Sequence, residues 1–314
     1  MSVQVHPVLS VIVPVYNEAA GLQRFYESLK QTLLDMDVTY EIVLVDDGSI
    51  DGSAEVMHGI AQTDTAVRVL RLTRNFGKEV ATTAGIHAAK GEAVLMIDAD
   101  GQHPVNKLPD FVARWRAGAK VVVGRRNGRK AGFRKRLGAR LFYSVFRWLT
   151  GVRVDFDATD FRLIDREVQA QFNRLTEHNR ITRGLIDWLG YKREYVDYAE
   201  NAREHGAATY SFSKLFKLAI DSTVSLSISP LYITAYIGAV VLPLSMLLGM
   251  GMGVNYLLDD PLGLHAGGGA YLTVFILFLV GLLLVSQGII GLYLSHIHAE
   301  TQGRPLYVLD EHKG

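Results

Sequence analysis

Tyr40-Glu41-Ile42-Val43-Leu44-Val45-Asp46-Asp47-Gly48-Ser49 is a short, mainly apolar run that stops abruptly in two carboxylates, a glycine and a hydroxyl. An apolar run of this length bounded by turn residues reads as a buried β-strand, here Tyr40–Val45, ending in a polar turn. The pattern recurs on both sides. Upstream, the strand Leu9–Val15 runs into Pro14-Val15-Tyr16-Asn17-Glu18, and downstream Ala93–Ile97 runs into Asp98-Ala99-Asp100-Gly101-Gln102. Val67–Leu72 and Lys120–Val123 read as two further strands. Between the first two, Leu22, Phe25, Tyr26, Leu29 and Leu33 recur at helical spacing, and Ser53–Ala61 reads as a second helix entered through a turn. Strands alternating with helices predict an α/β fold built on an open, mostly parallel sheet. Ligands bind such sheets beyond the carboxyl ends of the strands, where all three acidic stretches fall.

Charge is spread unevenly along the 314 residues, although 33 Lys and Arg nearly balance 32 Asp and Glu. Ser222–Leu258 and Pro261–Ala299 contain no Asp, Glu, Lys or Arg. A helix needs about 20 apolar residues to cross a bilayer core, so two transmembrane helices are expected, over 228–258 and 268–298. A soluble α/β domain is expected over 1–209, a juxtamembrane amphipathic helix over 210–227 and a tail over 299–314. Lys214 and Lys217 precede the first span and Arg304 and Lys313 follow the second, while the loop between carries Asp259 and Asp260. The positive-inside rule then predicts an integral membrane protein with both termini and the soluble domain in the cytoplasm, as at a bacterial inner membrane. No apolar h-region stands at the N-terminus, so no signal peptide is expected.

Arg125–Arg153 is basic and aromatic, and on a helix over 133–150 it would set an apolar stripe beside a cationic one. That pattern fits an interfacial helix near anionic headgroups and equally an amphipathic helix packed on the sheet. Gly249, Gly251 and Gly253, with Gly281, Gly288 and Gly291, allow close helix contacts between spans or between protomers, so a homo-oligomer is compatible with them. A net charge of +1 gives no reason to expect a nucleic-acid partner, and the absence of cysteine removes thiolate chemistry.

Asp100 and Gln102 lie two apart on an extended loop, so both can point to one side and share a hard cation, Mg²⁺ or Mn²⁺, with Asp98 orienting the loop or facing a ribose. Such a cation neutralises a departing diphosphate. Asp46 and Asp47 can accept hydrogen bonds from a nucleobase imide and a ribose hydroxyl, and Gly48 lets the backbone turn sharply. Ser49 or Asp51 capping the next helix is compatible with that contact. No G-x-G-x-x-G follows the first strand and no G-x-x-x-x-G-K-[ST] occurs, which disfavours NAD, FAD and P-loop chemistry.

Pro14–Glu18, Asp46–Gly52, Arg74-Asn75-Phe76-Gly77-Lys78-Glu79, Asp98–Pro104, Asp160-Phe161-Arg162-Leu163 and Arg203–Phe212 together resemble the family 2 glycosyltransferases that load a sugar onto polyprenyl phosphate, the dolichyl-phosphate mannose synthase-like and bacterial GtrB-like enzymes. The resemblance runs over almost the whole chain. It implies a GT-A fold, an inverting and metal-dependent transfer, and a polyprenyl (undecaprenyl or dolichyl) phosphate acceptor. It places Asp160 as catalytic base and Asp100, Gln102 and Asp98 at the metal. Pro14, Tyr16, Glu18, Asp46, Asp47, Gly48, Asn75, Gly77, Lys78, Asp98, Ala99 and Asp100 fall at the nucleotide sugar. Arg125, Arg126, Arg134, Arg162, Arg203, Tyr210 and Ser211 fall at donor or acceptor phosphates, with Arg125 and Arg126 competing for one role.

The GtrB-like pattern favours a UDP-hexose such as UDP-glucose or UDP-GlcNAc as donor. GDP-mannose is the alternative, and a non-catalytic nucleotide-sugar-binding membrane protein is a third reading. A processive polysaccharide synthase would carry Gln-x-x-Arg-Trp, where this chain has Phe111 and Ser144 in place of the glutamine. Gly206-Ala207-Ala208-Thr209-Tyr210-Ser211 departs from the pattern Gly-x-Ser-Lys-Tyr-Ser, Thr159 replaces a common glycine, and Gly101 a common leucine.

Overall fold

A computed structural model describes residues 7–126, 158–178, 180–199 and 268–310, with single positions at 243, 247, 250, 251 and 254. The chain alternates β1 (Leu9–Val15), α1 (Ala19–Asp35), β2 (Tyr40–Asp46), α2 (Ser53–Thr63), β3 (Val67–Arg71), α3 (Lys78–Ala88), β4 (Ala93–Met96), α4 (Leu108–Arg116) and β5 (Val121–Arg126). After the segment 127–157 come β6 (Ala158–Asp165), α5 (Arg166–Phe172), α6 (Thr182–Trp188) and β7 (Arg193–Tyr198), and later α7 (Gly268–Thr301). The seven strands form one sheet in the order β3-β2-β1-β4-β6-β5-β7.

The five expected strands form, and four of them pair in parallel as β3-β2-β1-β4. β6 enters antiparallel between β4 and β5, which makes the sheet mixed, with β7 parallel to β5 at its edge. Neither β6 nor β7 stands out as an apolar run. Ala158-Thr159-Asp160-Phe161-Arg162-Leu163-Ile164-Asp165 alternates polar and apolar residues, yet it lies inside the sheet with both edges paired.

The central strands are buried on both faces, which explains their continuous apolar sequence. Val11, Val13, Ile42, Leu44, Phe161 and Leu163 pack on the side of α1, α2 and α4. Ile12, Val43, Met96, Val121 and Ile164 pack on the opposite side with residues of α3, α5 and α6. Leu22, Leu29 and Leu33, placed by the helical repeat, are fully buried.

After α7 the chain returns to this sheet. Thr73 N donates to Val308 O (3.0 Å) and Asp310 N to Arg71 O (2.8 Å), bridging Leu72 with Leu309 in antiparallel fashion beyond β3. Residues 304–310 thus belong to the same compact unit as the sheet, whereas α7 belongs to a second unit.

α7 is 34 residues long, about 50 Å at 1.5 Å per residue. Leu272, Ile276, Phe278, Leu283, Leu294 and Ile297 are exposed along it. Several of its side chains fall outside the described set, and among the described residues no helix is long and apolar enough to cross a membrane. Of the expected spans, 268–298 falls within α7. The expected helices over 133–150 and 210–227, and all but five positions of the first span, lie outside the described residues.

Candidate active site

The three acidic strand ends converge on one rim of the sheet but do different things there. Asp46 is fully buried; its Oδ1 accepts the Ser49 amide (2.8 Å) within its own turn, and its Oδ2 lies 3.4 Å from Arg71 Nε. Asp47 accepts the Phe76 amide (2.7 Å) and the Gly77 amide (3.0 Å to Oδ2). Burial pushes the Asp47 carboxyl up from its ordinary range, against the pull of those amides. Gly48 has φ +71°, and a Cβ there would sit 2.6 Å from the carbonyl carbon of Arg74. The sharp turn expected at Gly48 is present, and it packs against the neighbouring loop. Ser49 and Asp51 also serve that scaffold: Ser49 Oγ accepts the Asn17 amide (3.1 Å), and Asp51 binds Ser53 N (3.0 Å) at the start of α2 and Ala19 N (3.1 Å) at the start of α1.

The loop held by Asp47 delivers Lys78 as the first residue of α3. Its Nζ donates to Asp98 Oδ2 (2.7 Å) and to Asp160 Oδ2 (3.0 Å), joining the end of β4 to β6. Pro14, Asp98, Asp160, Thr182 and Arg183 line the cleft around this bridge. Burial works against the ammonium charge, but the two carboxylates outweigh it and hold Lys78 above the ordinary lysine range. Burial would likewise raise Asp160, yet Lys78, followed by Arg183, holds it below the usual carboxylate range. Glu79, next in the chain, is pushed upward by burial and by the charge of Asp160, while its Oε2 accepts the Thr182 amide (2.7 Å).

On the other side of the loop, Asp100, Gly101 and His103 line a second cleft with Glu18 and Arg24. Asp100 Oδ1 accepts the Gln102 amide (3.0 Å), a turn that Gly101 permits with φ +73°. His103 stacks on Phe161 (5.2 Å between centroids), and burial holds its ring below the ordinary histidine range. Its Nδ1 faces the Asp98 amide at 3.4 Å.

Of the three residues expected at a metal, Asp98 lines the first cleft and Asp100 the second. Asp98 is engaged by Lys78, and among the described residues no group of three or more His, Asp or Glu could hold an ion. Asp100 and Gln102 nevertheless offer oxygen donors two positions apart on one turn. That set fits Mg²⁺ or Mn²⁺ if substrate phosphates and waters complete the shell, the ordinary habit of Mg²⁺.

Arg162, expected at a phosphate, lines the first cleft from inside the fold. It is 1% exposed, with Nε on Thr159 O (3.0 Å) and Nη1 on Asp187 Oδ1 (2.8 Å). Arg125 is paired with Asp197 (2.7 Å) and lies over the Tyr195 ring. Arg126 ends β5, half-buried, near His103. Pro14 lines the first cleft, Glu18 the second, and Tyr16 is exposed beyond β1. Ala99 is buried and lines the second cleft, Asn75 packs against Gly48, and Gly77 precedes α3 at φ +102°. Arg134, Arg203, Tyr210 and Ser211 lie outside the described residues. His103, Glu79, Thr182 and Arg183 were not anticipated at the site. His103 lies within the quoted Asp98–Pro104 motif, which could have flagged it; Arg183 stands in a short helix without a motif.

A parallel sheet interrupted by one reversed strand, with acidic loops at its rim, defines a GT-A-like glycosyltransferase. Residues 10–173 match the family described as Glycosyl transferase family 2, and the chain belongs to that family. It is similar over 308 residues to the SfII prophage-derived bactoprenol glucosyl transferase of Shigella flexneri, at 34% identity covering 98% of this chain and 99% of the relative. A glycosyltransferase of Synechocystis sp. is 35% identical over 96% of this chain and 95% of its own. The crystal structure of mannosyl-3-phosphoglycerate synthase from Rubrobacter xylanophilus shares the fold, with a TM-score of 0.51 and 19% identity over 70% of this chain and 73% of that one.

Proposed function

We propose that this protein transfers a hexose from a UDP-sugar to polyprenyl phosphate at the cytoplasmic face of a membrane, with inversion at the anomeric carbon and with Mg²⁺ or Mn²⁺. The observation that carries the reading is the Lys78 bridge, which sets Asp160 3.0 Å from the ammonium that also binds Asp98 on the donor-side loop. Near-full-length similarity to a bactoprenol glucosyl transferase supports the acceptor class.

In the proposed reaction an acceptor phosphate oxygen forms a bond to the anomeric carbon, and the bond from that carbon to the donor diphosphate breaks, with its electron pair leaving on the diphosphate. A phosphomonoester has a second pKa near 6, so the acceptor is already ionised at neutral pH. Asp160, held below the usual carboxylate range, is a weak base suited to orienting the acceptor and balancing the surrounding cations. Most of the acceleration then comes from in-line placement of the nucleophile and from stabilising the departing charge. A bound divalent ion at Asp100 and Gln102 would supply part of that stabilisation.

The acceptor also gives a reason for a membrane location. Drawing a polyprenyl chain into water costs about 0.8 kcal/mol per exposed CH₂, so the enzyme must work at the bilayer. The exposed apolar side chains of α7, which has no Asp, Glu, Lys or Arg before Glu300, support a lipid-facing helix.

Incubating the purified full chain with labelled nucleotide sugars, polyprenyl phosphate and Mg²⁺ tests the proposal. UDP release that depends on the lipid is the expected result. Release that ignores the lipid, or none with any donor, overturns it.

A further inference from the structure

Arg162, expected at a phosphate, lines the cleft with Asp160 but is 1% exposed and paired with Asp187. A second arginine stands in the same cleft, Arg183. It is exposed, it lines the cleft with Asp160 and Lys78, and among the described residues its guanidinium makes no hydrogen bond or ion pair.

Its backbone, by contrast, is fixed from two directions. The Glu79 carboxylate accepts the amide of the preceding Thr182 (2.7 Å) from α3, and Arg162 Nη1 donates to the Arg183 carbonyl (3.3 Å) from β6. Arg162 also grips Asp187 one turn further along α6 (2.8 Å). A buried arginine and a half-buried glutamate therefore anchor a short helix whose exposed Arg183 lines the same cleft as Asp160 and whose charge acts on it.

The charges of the cleft say what that guanidinium is for. Lys78 is spent on Asp98 and Asp160, and Arg162 on Asp187. A doubly charged phosphate approaching Asp160 would meet like charge unless a further cation met it. Arginine suits this task, since its planar fork binds phosphate oxygens in pairs.

We infer that Arg183 binds the acceptor's phosphomonoester beside Asp160, and that Arg162 and Glu79 act as positioning residues holding Arg183 in place. This inference rests on the function proposed above and adds to it the residue that seats the acceptor.

The test uses the full chain in detergent, comparing wild type with R183A and R183K. Initial rates are measured against polyprenyl phosphate at saturating donor, and donor affinity by direct titration. Losing a charge-assisted contact should raise the acceptor KM by roughly ten- to a hundredfold in R183A. R183K should recover part of this loss, and donor affinity should stay within about twofold of wild type. An acceptor KM unchanged in R183A overturns the assignment, and so does a donor affinity that falls in step with it, since the arginine would then serve the diphosphate. Activity of the wild type alone decides the proposed function, whereas the difference between variants decides the seat.

Discussion

Asp46-Asp47-Gly48-Ser49 and Asp98-Ala99-Asp100-Gly101-Gln102 look alike in sequence, each a strand end rich in carboxylates with one glycine. In the folded chain they differ. The carboxylates of the first are buried at 0% and 3% exposure, Asp46 accepting the Ser49 amide of its own turn through Oδ1 and Asp47 the amides of Phe76 and Gly77. Those of the second open onto two clefts, Asp98 toward Lys78 and Asp160, Asp100 toward Glu18 and His103. An acidic motif thus marks a place in the fold, while its hydrogen-bond partners decide whether it builds the scaffold or faces a substrate.

That contrast breaks most sharply under substitution. Asp100→Asn is expected to cut turnover by roughly 10²–10³-fold, the scale of losing one charge-stabilising group, with thermal stability within about 0.5 kcal/mol of wild type. A melting curve shifted as far as the activity would place Asp100 with the scaffold instead. Asp160→Asn should lower turnover or raise the acceptor KM, with the fold intact by circular dichroism; a normal rate with normal acceptor affinity would remove Asp160 from the site.

In the first stretch the losses should appear as stability. Asp47→Ala leaves the Phe76 and Gly77 amides without their acceptor, at a cost of about 1–3 kcal/mol per buried group, visible as a lower denaturation midpoint. Gly48→Ala should cost about 1–3 kcal/mol, because φ is +71° and the added carbon would strike the Arg74 backbone. If either variant melts like wild type while losing activity, the scaffold assignment fails.

The smallest effect belongs to pH. Glu79 has its folded pKa raised, so the folded state holds that proton more tightly than the unfolded chain does. The associated stability is present below the unfolded value, near 4.3, and is lost as pH rises through the folded value. Asp160 has the opposite sign, with stability present above its unfolded value and lost as pH falls through a depressed folded value. Glu79→Gln keeps an acceptor for Thr182 and removes the penalty, so its melting temperature relative to wild type should be higher at pH 7 than at pH 4. A pH-independent difference would contradict the upward shift.

Much of the fold was legible because it is written in local period. The apolar runs of β1, β2 and β4 and the repeat Leu22, Phe25, Tyr26, Leu29, Leu33 each bury what their spacing says they bury. β6 was not legible: its alternation of Thr159, Asp160, Phe161 and Arg162 resembles a surface strand, and only pairing with both β4 and β5 turns Arg162 inward. The return of Val308–Asp310 to the end of β3 left no mark either, since a backbone pairing between segments so far apart requires no side-chain pattern.

From the amino-acid order alone come the strand ends, their acids and the uncharged apolar stretches, because a residue's hydropathy and its neighbours at two or four positions are local properties. The tertiary structure alone decided that Lys78 joins Asp98 to an aspartate 82 positions away, that Asp47 takes the Phe76 and Gly77 amides, and that of the two arginines lining the cleft Arg162 is buried against Asp187 while Arg183 is exposed. Those outcomes depend on which distant strands become neighbours and on which polar groups burial forces to find a partner.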